Sequence, residues 1–229
     1  MKKLAASSVT VIGLGAVGSY CLEALARAGV GRFRVVDFDV IRPSNMNRHL
    51  WAFHSTLNIP KAEMAKKRLL DINPDILVEP YVMFADDKTL PQILDNKPDI
   101  LIDAADAAGL KVETLERAYK MGLTIVSSMG AATRTDLSCI QVGDLMDSKG
   151  CPLARRMRRL LKPKGVGRGI TCVYSTQPQK VSLLSSEPVV EPGDVLRGRI
   201  RRKLGSLSTV TGIFGLTLAH TVLKKLLEF

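Results

Sequence analysis

The chain has 229 residues, 46% of them hydrophobic, and this length fits one large domain with a full core better than two independent domains. Its four cysteines form no Cys-x-x-Cys pair, which argues against a structural zinc site and a disulfide framework and favours reduced thiols in the cytoplasm. The 33 basic and 22 acidic residues give a net charge of +11, which favours association with polyanions such as RNA without identifying a binding site.

The first part of the chain predicts a β-α-β unit. Residues 9–12 are a β-branched run that ends at a glycine, and residues 19–27 then carry apolar side chains at helical spacing. Two glycines end this helix, and residues 33–38 form a second apolar strand that runs into acidic residues. A strand, a helix and a strand in this order predict parallel pairing of the two strands.

The same alternation continues to about residue 128. The pattern predicts helices over 61–70, 90–94 and 111–121, and strands over 76–82, 100–103 and 124–128. Such alternation predicts an α/β fold with a Rossmann-like, doubly wound, mainly parallel sheet flanked by helices.

Beyond about Gly143 the pattern gives way to Gly, Pro and basic residues, and a basic C-terminal extension is predicted. We therefore divide the chain into a nucleotide-binding core, 1–143, and a part with basic loops and a C-terminal helix that completes the same domain, 144–229. The apolar helix is predicted over 209–227 and a second basic loop over 187–205. No secretory signal or transmembrane segment is predicted, because the apolar stretch 210–218 is far shorter than the ~20 residues that span a bilayer.

Residues 13–18 contain the spacing Gly-x-Gly-x-x-Gly between the first strand and the first helix. Glycines there let the backbone approach a phosphate, and the amides at the helix start would bind phosphate oxygens. Asp37, at the end of the second strand, could accept hydrogen bonds from ribose hydroxyls. These features alone do not distinguish NAD, FAD, ATP and S-adenosylmethionine.

Two cations favour ATP among these nucleotides. Arg48 and Lys61 have no task in a dehydrogenase, whereas an enzyme whose reaction occurs at the α-phosphate of ATP needs fixed cations for the charge of the transition state. The neutral amides of Asn45 and Asn47 can bind ribose or phosphate.

With these motifs the chain resembles the ThiF-type adenylating enzymes. The resemblance covers the glycine loop, residues 37–39, 44–48, Lys61 and the run 102–106. It implies that Asp37 binds ribose, that Asn45 and Arg48 bind phosphates, and that Lys61 lies at the α-phosphate. Asp106 would hold Mg²⁺, and the family arrangement suggests a homodimer. The predicted catalytic residues are Arg48, Lys61 and Asp106, and the predicted nucleotide-binding residues are Gly13, Gly15, Ala16, Gly18, Asp37, Asp39, Ser44, Asn45, Asn47, Arg48, Lys61 and Lys111.

Within that family the chain is similar to the tRNA threonylcarbamoyladenosine dehydratases. The similarity rests on Asp106 with Lys111, on residues 141–145, on 152–154 before a basic helix, and on 172–176. It implies ATP-dependent adenylation of the carboxylate of threonylcarbamoyladenosine in tRNA, followed by cyclisation, with release of AMP and pyrophosphate. The predicted RNA-binding residues are Arg155, Arg156, Arg159, Lys162, Lys164 and Arg168.

Three alternatives stay open. The first is an adenylating activator of a sulfur-carrier or ubiquitin-like protein, which would need a partner in a sulfur relay and a reactive cysteine such as Cys172. The second is a nicotinamide-dependent oxidoreductase or a non-catalytic NAD-binding module. The third is a catalytically degenerate RNA-binding module, motivated by three departures from the family pattern: Ala16 and Ala107 replace more usual residues, and the chain begins close to the first strand, without the upstream arginine helix.

Overall fold

A mixed sheet of seven strands forms the centre of the molecule. The computed structural model describes residues 2–178, 184–188 and 202–228, with only the backbone described for 184–188 and 202–204. The strand order is β3-β2-β1-β4-β5-β7-β6, and all neighbouring pairs are parallel except β6 with β7. This confirms the prediction of a Rossmann-like, mainly parallel α/β sheet.

The helices lie on both sides of this sheet and alternate with its first five strands. The first half of the chain forms α1 (Lys2–Ala6), β1 (Ser8–Ile12), α2 (Ala16–Arg27), β2 (Arg32–Val36), α3 (Lys61–Ile72), β3 (Leu77–Tyr81), α4 (Leu90–Ile93) and β4 (Ile100–Asp103). The second half forms α5 (Ala108–Lys120), β5 (Ile125–Ser128), β6 (Ile140–Asp144), α6 (Pro152–Leu161), β7 (Ile170–Ser175), β8 (Leu184–Pro188), β9 (Arg202–Leu204) and α7 (Ser208–Leu227).

Burial explains why the central strands were recognisable. β4 and β5 are buried along their whole length, and β1 and β2 are buried except at their first residues. Strands covered by helices on both faces are continuous apolar runs. The switch in strand order lies between β1 and β4, where the chain moves from one side of the sheet to the other. In doubly wound sheets, ligands bind at this point, outside the carboxyl ends of the strands.

The C-terminal helix α7 packs on α2, as predicted for a core helix. Gly212 and Gly215 allow this contact, because a Cβ atom at either position would lie 3.3 Å or 2.6 Å from Tyr20. Among the described residues, α7 is the one helix long and apolar enough to cross a bilayer. Its buried stripe, which includes Phe214 and Leu218, assigns it to the protein core.

The predicted basic C-terminal extension is not confirmed. After β5 the chain returns to the main sheet: β6 pairs antiparallel with β7, and β7 pairs parallel with β5. The predicted division after Gly143 therefore falls within β6 (Ile140–Asp144), while the helix expected in this part is present as α6. The short helix α1 was not predicted. Most of the second predicted basic loop, including Arg197, Arg199 and Arg201, lies outside the described residues.

Candidate nucleotide-binding site

The three glycines of the β1–α2 loop have different structural tasks. Gly13 has a φ of +92°, and a Cβ atom there would lie 2.6 Å from the amide nitrogen of Ala105, in the loop after β4. A Cβ atom on Gly18 would lie 2.1 Å from the carbonyl oxygen of Gly13. At Gly15, by contrast, a Cβ atom would have no neighbour within 4 Å. Gly13 and Gly18 are therefore required for packing, whereas Gly15 faces open space that a ligand can enter.

The start of α2 offers backbone amides that no side chain of the described residues caps. Gly15 is the N-cap residue of this helix, and no side chain caps it. The first amides of an α-helix have no partner within the helix, and the helix dipole places partial positive charge at the same end. Uncapped and at the carboxyl edge of the sheet, the start of α2 is suited to phosphate oxygens.

Asp37 holds the glycine loop from the end of β2. Its Oδ2 atom accepts a hydrogen bond of 2.7 Å from the amide of Leu14, and its Oδ1 atom accepts one of 2.9 Å from the amide of Asp39. Burial raises the pKa of the Asp37 carboxyl group, although the nearby charge of Lys61 and these two amides lower it. A carboxylate with partners on both oxygens is fixed in position beside the switch point.

Lys61 is a buried cation that Asp39 holds in place. Its Nζ atom lies 2.7 Å from Oδ2 of Asp39, and its backbone amide donates to the Asp39 carbonyl at 2.9 Å. The Arg42 guanidinium lies 3.2 Å from the other carboxylate oxygen. Burial raises the pKa of Asp39, but the charge and hydrogen bond of Lys61 and the hydrogen bond of Arg42 outweigh it, so the pKa is lowered. Asp39 is thus an anion that positions Lys61.

The loop before α3 presents the side chain of Arg48. Its Nη1 atom donates to the carbonyl of Ser44 and to Oδ1 of Asn47, both at 2.8 Å. Asn47 in turn donates to the carbonyl of Ser206, just before α7, and Asn45 accepts from the amide of Arg42. Arg48 is half-buried, and within the described part of the chain it forms no ion pair. Its charge is therefore available to an anionic ligand.

The loop between β4 and α5 carries Asp106 and lies against Gly13. Asp106 is exposed, one residue before the N-cap of α5. Asp103, by contrast, is fully buried: its Oδ2 atom accepts from Lys111 at 2.5 Å and from Ser127 at 2.6 Å, and its Oδ1 atom accepts from the amide of Ala105 at 3.3 Å. Lys111 is thus held beneath this loop, with no exposed side-chain surface.

The predicted RNA-binding residues all lie on the surface. α6 begins at the carboxyl edge of the sheet, because Gly150 lies against Thr176 and Leu153 lies against Gly130. All six predicted cations are exposed, and two of them form surface ion pairs: Lys164 with Glu116 at 2.7 Å and Arg168 with Asp147 at 2.6 Å. Arg155 and Arg156 are closest to the nucleotide edge, since they lie in the first turns of α6.

Three of the four cysteines have the environment of structural residues, and the fourth, Cys139, is half-buried. Cys21, Cys151 and Cys172 are buried, and burial raises the pKa of the Cys172 thiol to about 12. A thiol with so high a pKa is not a reactive thiolate at neutral pH. No cluster of three or more potential metal ligands occurs among the residues described.

The structure brings most of the predicted site residues together, but the sequence did not indicate which residues hold Lys111. The glycine loop, Asp37, Asp39, Arg48, Lys61 and Asp106 meet around the carboxyl ends of β1, β2 and β4, whereas Lys111 lies in the core. The partners of Lys111, Asp103 and Ser127, were not predicted. The sequence feature that could have identified them is a carboxylate and a hydroxyl at the ends of two adjacent buried strands.

A glycine loop at the switch point, with a carboxylate at the end of β2 and held cations beside it, is the arrangement of a nucleotide-binding α/β protein. The chain belongs to the ThiF family, whose model matches residues 1–229. It is 37% identical to the tRNA threonylcarbamoyladenosine dehydratase of Bacillus subtilis, over 77% of this chain and 70% of that protein.

Two further relatives extend over nearly the whole chain. Dehydratase 2 of Saccharomyces cerevisiae is 34% identical over 99% of this chain, which spans only 53% of the yeast protein. The Escherichia coli tRNA N6-threonylcarbamoyladenosine dehydratase, solved in complex with ATP, superposes with a TM-score of 0.86 at 29% identity, covering 99% of this chain and 88% of that one. The chain therefore shares the fold of these relatives over nearly its whole length.

Proposed function

We propose that this protein is an ATP-dependent dehydratase that adenylates the carboxylate of threonylcarbamoyladenosine in tRNA and promotes its cyclisation, releasing AMP and pyrophosphate. The observation that carries the proposal is the meeting of an open glycine loop, Asp37, Arg48, Lys61 and Asp106 at one edge of the sheet. The similarity to dehydratases over nearly the whole chain supports the choice of substrate.

The chemistry needs positioned charge more than a covalent intermediate on the protein. A carboxylate oxygen attacks the α-phosphorus of ATP and pyrophosphate leaves, after which AMP is a good leaving group on the activated carbonyl. A nitrogen of the same modified side chain then attacks that carbonyl and closes the ring, an intramolecular step favoured by proximity. Arg48 and Lys61 would stabilise the negative charge that spreads over the phosphate oxygens.

The residues also fit Mg²⁺, with Asp106 as its protein ligand. Magnesium is usually bound by one or two carboxylates together with substrate phosphates, and not by a complete protein cage. One exposed carboxylate beside the glycine loop matches that mode. When bound, Mg²⁺ would neutralise phosphate charge.

The exposed cations of α6 would bind the phosphate backbone of the anticodon arm. Their run begins at the nucleotide edge and continues for the length of the helix. Arginine and lysine contacts to phosphates contribute sequence-independent affinity that decreases with salt. A modified base in a single-stranded loop could then reach the ATP site.

We further infer a cytoplasmic homodimer. The exposed apolar residues Val142 on β6 and Leu216 on α7 are 48% and 46% accessible. Val142 lines a surface groove together with Thr217 of α7, so a second copy could cover both elements. Analytical ultracentrifugation would test this part of the proposal: a purely monomeric protein at micromolar concentration would contradict it.

The central experiment measures AMP release with Mg·ATP and tRNA that carries threonylcarbamoyladenosine, compared with the same tRNA lacking the modification. We expect release only with the modified tRNA, and a product that is lighter by one water. Asp106→Asn should abolish most of the activity. Asp71→Asn removes an exposed carboxylate on α3, far from the loop, and should not. Turnover without modified tRNA, or equal activity of both variants, would refute the proposal.

A second experiment tests the RNA surface. Arg155→Ala should weaken tRNA binding and lower the slope of log affinity against log salt by about one unit. Arg32→Ala, an exposed arginine at the amino end of β2, is the matched control and should leave both quantities unchanged. If the two substitutions weaken tRNA binding equally, the lost affinity comes from the lower net charge and not from a contact made by Arg155.

A further inference from the structure

His49 is a buried histidine that joins the Arg48 loop to the glycine loop. It is only 5% accessible, and its Nε2 atom lies 2.7 Å from the carbonyl oxygen of Leu14. The amide of Trp51 donates to its Nδ1 atom at 3.1 Å. The imidazole therefore has a defined partner on each nitrogen.

These partners fix the protonation of the ring. A backbone amide can only donate, so Nδ1 must carry a lone pair, and a carbonyl can only accept, so Nε2 must carry the hydrogen. Burial, together with the charges of Lys61 and Arg48, lowers the pKa of His49 to about 4, whereas the Leu14 hydrogen bond and the Asp39 charge raise it. The ring is neutral at physiological pH.

The hydrogen bond to Leu14 orients the next amide of the glycine loop. The carbonyl of Leu14 and the amide of Gly15 belong to one peptide unit, and in a trans peptide they point in opposite directions. All peptide bonds of the described residues are trans. Since the carbonyl points towards His49, the Gly15 N–H points away from it. A Cβ atom on Gly15 would have no neighbour within 4 Å, so no side chain crowds this residue. Within the described structure no acceptor receives this N–H.

We propose that His49 is a positioning residue that holds the Gly15 amide in the orientation needed to bind a phosphate of ATP. Asp37 fixes the other side of Leu14 through its amide, so both peptide groups of Leu14 are clamped. Because His49 directly follows Arg48, the same contact joins the backbone of the Arg48 loop to the glycine loop. The inference rests on the proposed function only in taking ATP as the nucleotide.

The test compares three variants in ATP binding, measured by calorimetry. His49→Leu keeps the apolar volume but loses the donor, and we expect about tenfold weaker ATP binding, of the size of one lost oriented hydrogen bond. His49→Gln can still donate an amide hydrogen to Leu14 and should restore most of the affinity. His54→Ala removes an exposed histidine nearby and serves as the control.

Steady-state kinetics separate positioning from general damage. In His49→Leu the KM for ATP should rise while the KM for tRNA does not change. Unaltered ATP affinity in a folded His49→Leu protein would overturn the proposal. If that variant does not fold, nitrogen NMR of the wild-type imidazole decides: the hydrogen must reside on Nε2, and a ring protonated on Nδ1 refutes the clamp. The calorimetric measurement of ATP binding and the NMR of the imidazole do not require the RNA reaction, so failure of the proposed function would be seen separately.

Discussion

Replacing Lys111 by Met should strongly destabilise the protein, because it leaves the Asp103 carboxylate buried without its counter-charge. Both side chains are fully inaccessible, and their charged atoms lie 2.5 Å apart. Lys111 also donates to Ser127 and to the Ser128 carbonyl, at 3.3 Å and 3.0 Å. Breaking a buried ion pair by removing one partner costs about 3–5 kcal/mol.

The predicted loss corresponds to a fall in Tm of about 10 °C, since a chain of this size changes by roughly 2–4 °C per kcal/mol. Urea unfolding at pH 7 measures the free energy directly. Lys120→Met is the control on the same helix: Lys120 is exposed and pairs with Glu116 at the surface, a pair worth at most about 1 kcal/mol.

A double variant tests the physical cause. If the cost comes from an unpaired buried charge, Lys111→Met combined with Asp103→Asn should be more stable than Lys111→Met alone, because no charge then stays buried. Loss of stability in Lys111→Met no larger than in Lys120→Met would refute the reasoning. So would a double variant that is less stable than the single one.

Three further predictions follow from the site. The pKa of His49 is lowered to about 4, so between about pH 6.5 and 4 the unfolded chain binds a proton that the folded chain does not. The free energy of unfolding should therefore decrease by up to about 3 kcal/mol as the pH is lowered through this range. Urea unfolding of His49→Gln should lack this decrease. Gly15→Ala should keep the Tm but weaken ATP binding, whereas Gly18→Ala should lower the Tm, because its Cβ atom would lie 2.1 Å from a carbonyl oxygen. Cys172→Ala should retain tRNA-dependent AMP release; loss of activity in a folded variant would favour the sulfur-carrier alternative.

The central strands could be predicted because strands that are buried on both faces appear in the sequence as continuous apolar runs. β4 was expected over 100–103 and is observed over Ile100–Asp103, where every side chain is buried. β6 has no such apolar run. It is an edge strand whose middle residues, Gln141 and Val142, are exposed, and Gly143 interrupts any alternation of apolar and polar residues. Its pairing is decided by β7, about 30 residues later in the chain, which local patterns do not encode.

The position of Lys111 illustrates what spacing alone leaves out. The family resemblance, which pairs Lys111 with Asp106, predicts a second cation near the nucleotide. The helix begins at Ala108, however, and Lys111 then falls on the same stripe as the buried residues Thr114, Leu115 and Ala118. A helical projection could therefore have placed Lys111 towards the sheet. What it could not supply is the partner, since Asp103 and Ser127 come from two different strands.

The structure thus divides the predicted cations by the charge that surrounds each. Asp103 neutralises Lys111 in the core. At the nucleotide edge the two opposite charges largely cancel, and together they act as a compact dipole. Lys61 is paired with Asp39, and the lowered pKa of Asp39 keeps this carboxylate anionic. The pair has little net charge, so Lys61 contributes mainly a hydrogen-bond donor that is fixed in position. Arg48 is held by neutral oxygens instead, at 2.8 Å from each. No carboxylate among the described residues pairs with it, and we infer that it contributes the largest electrostatic share to binding the phosphates.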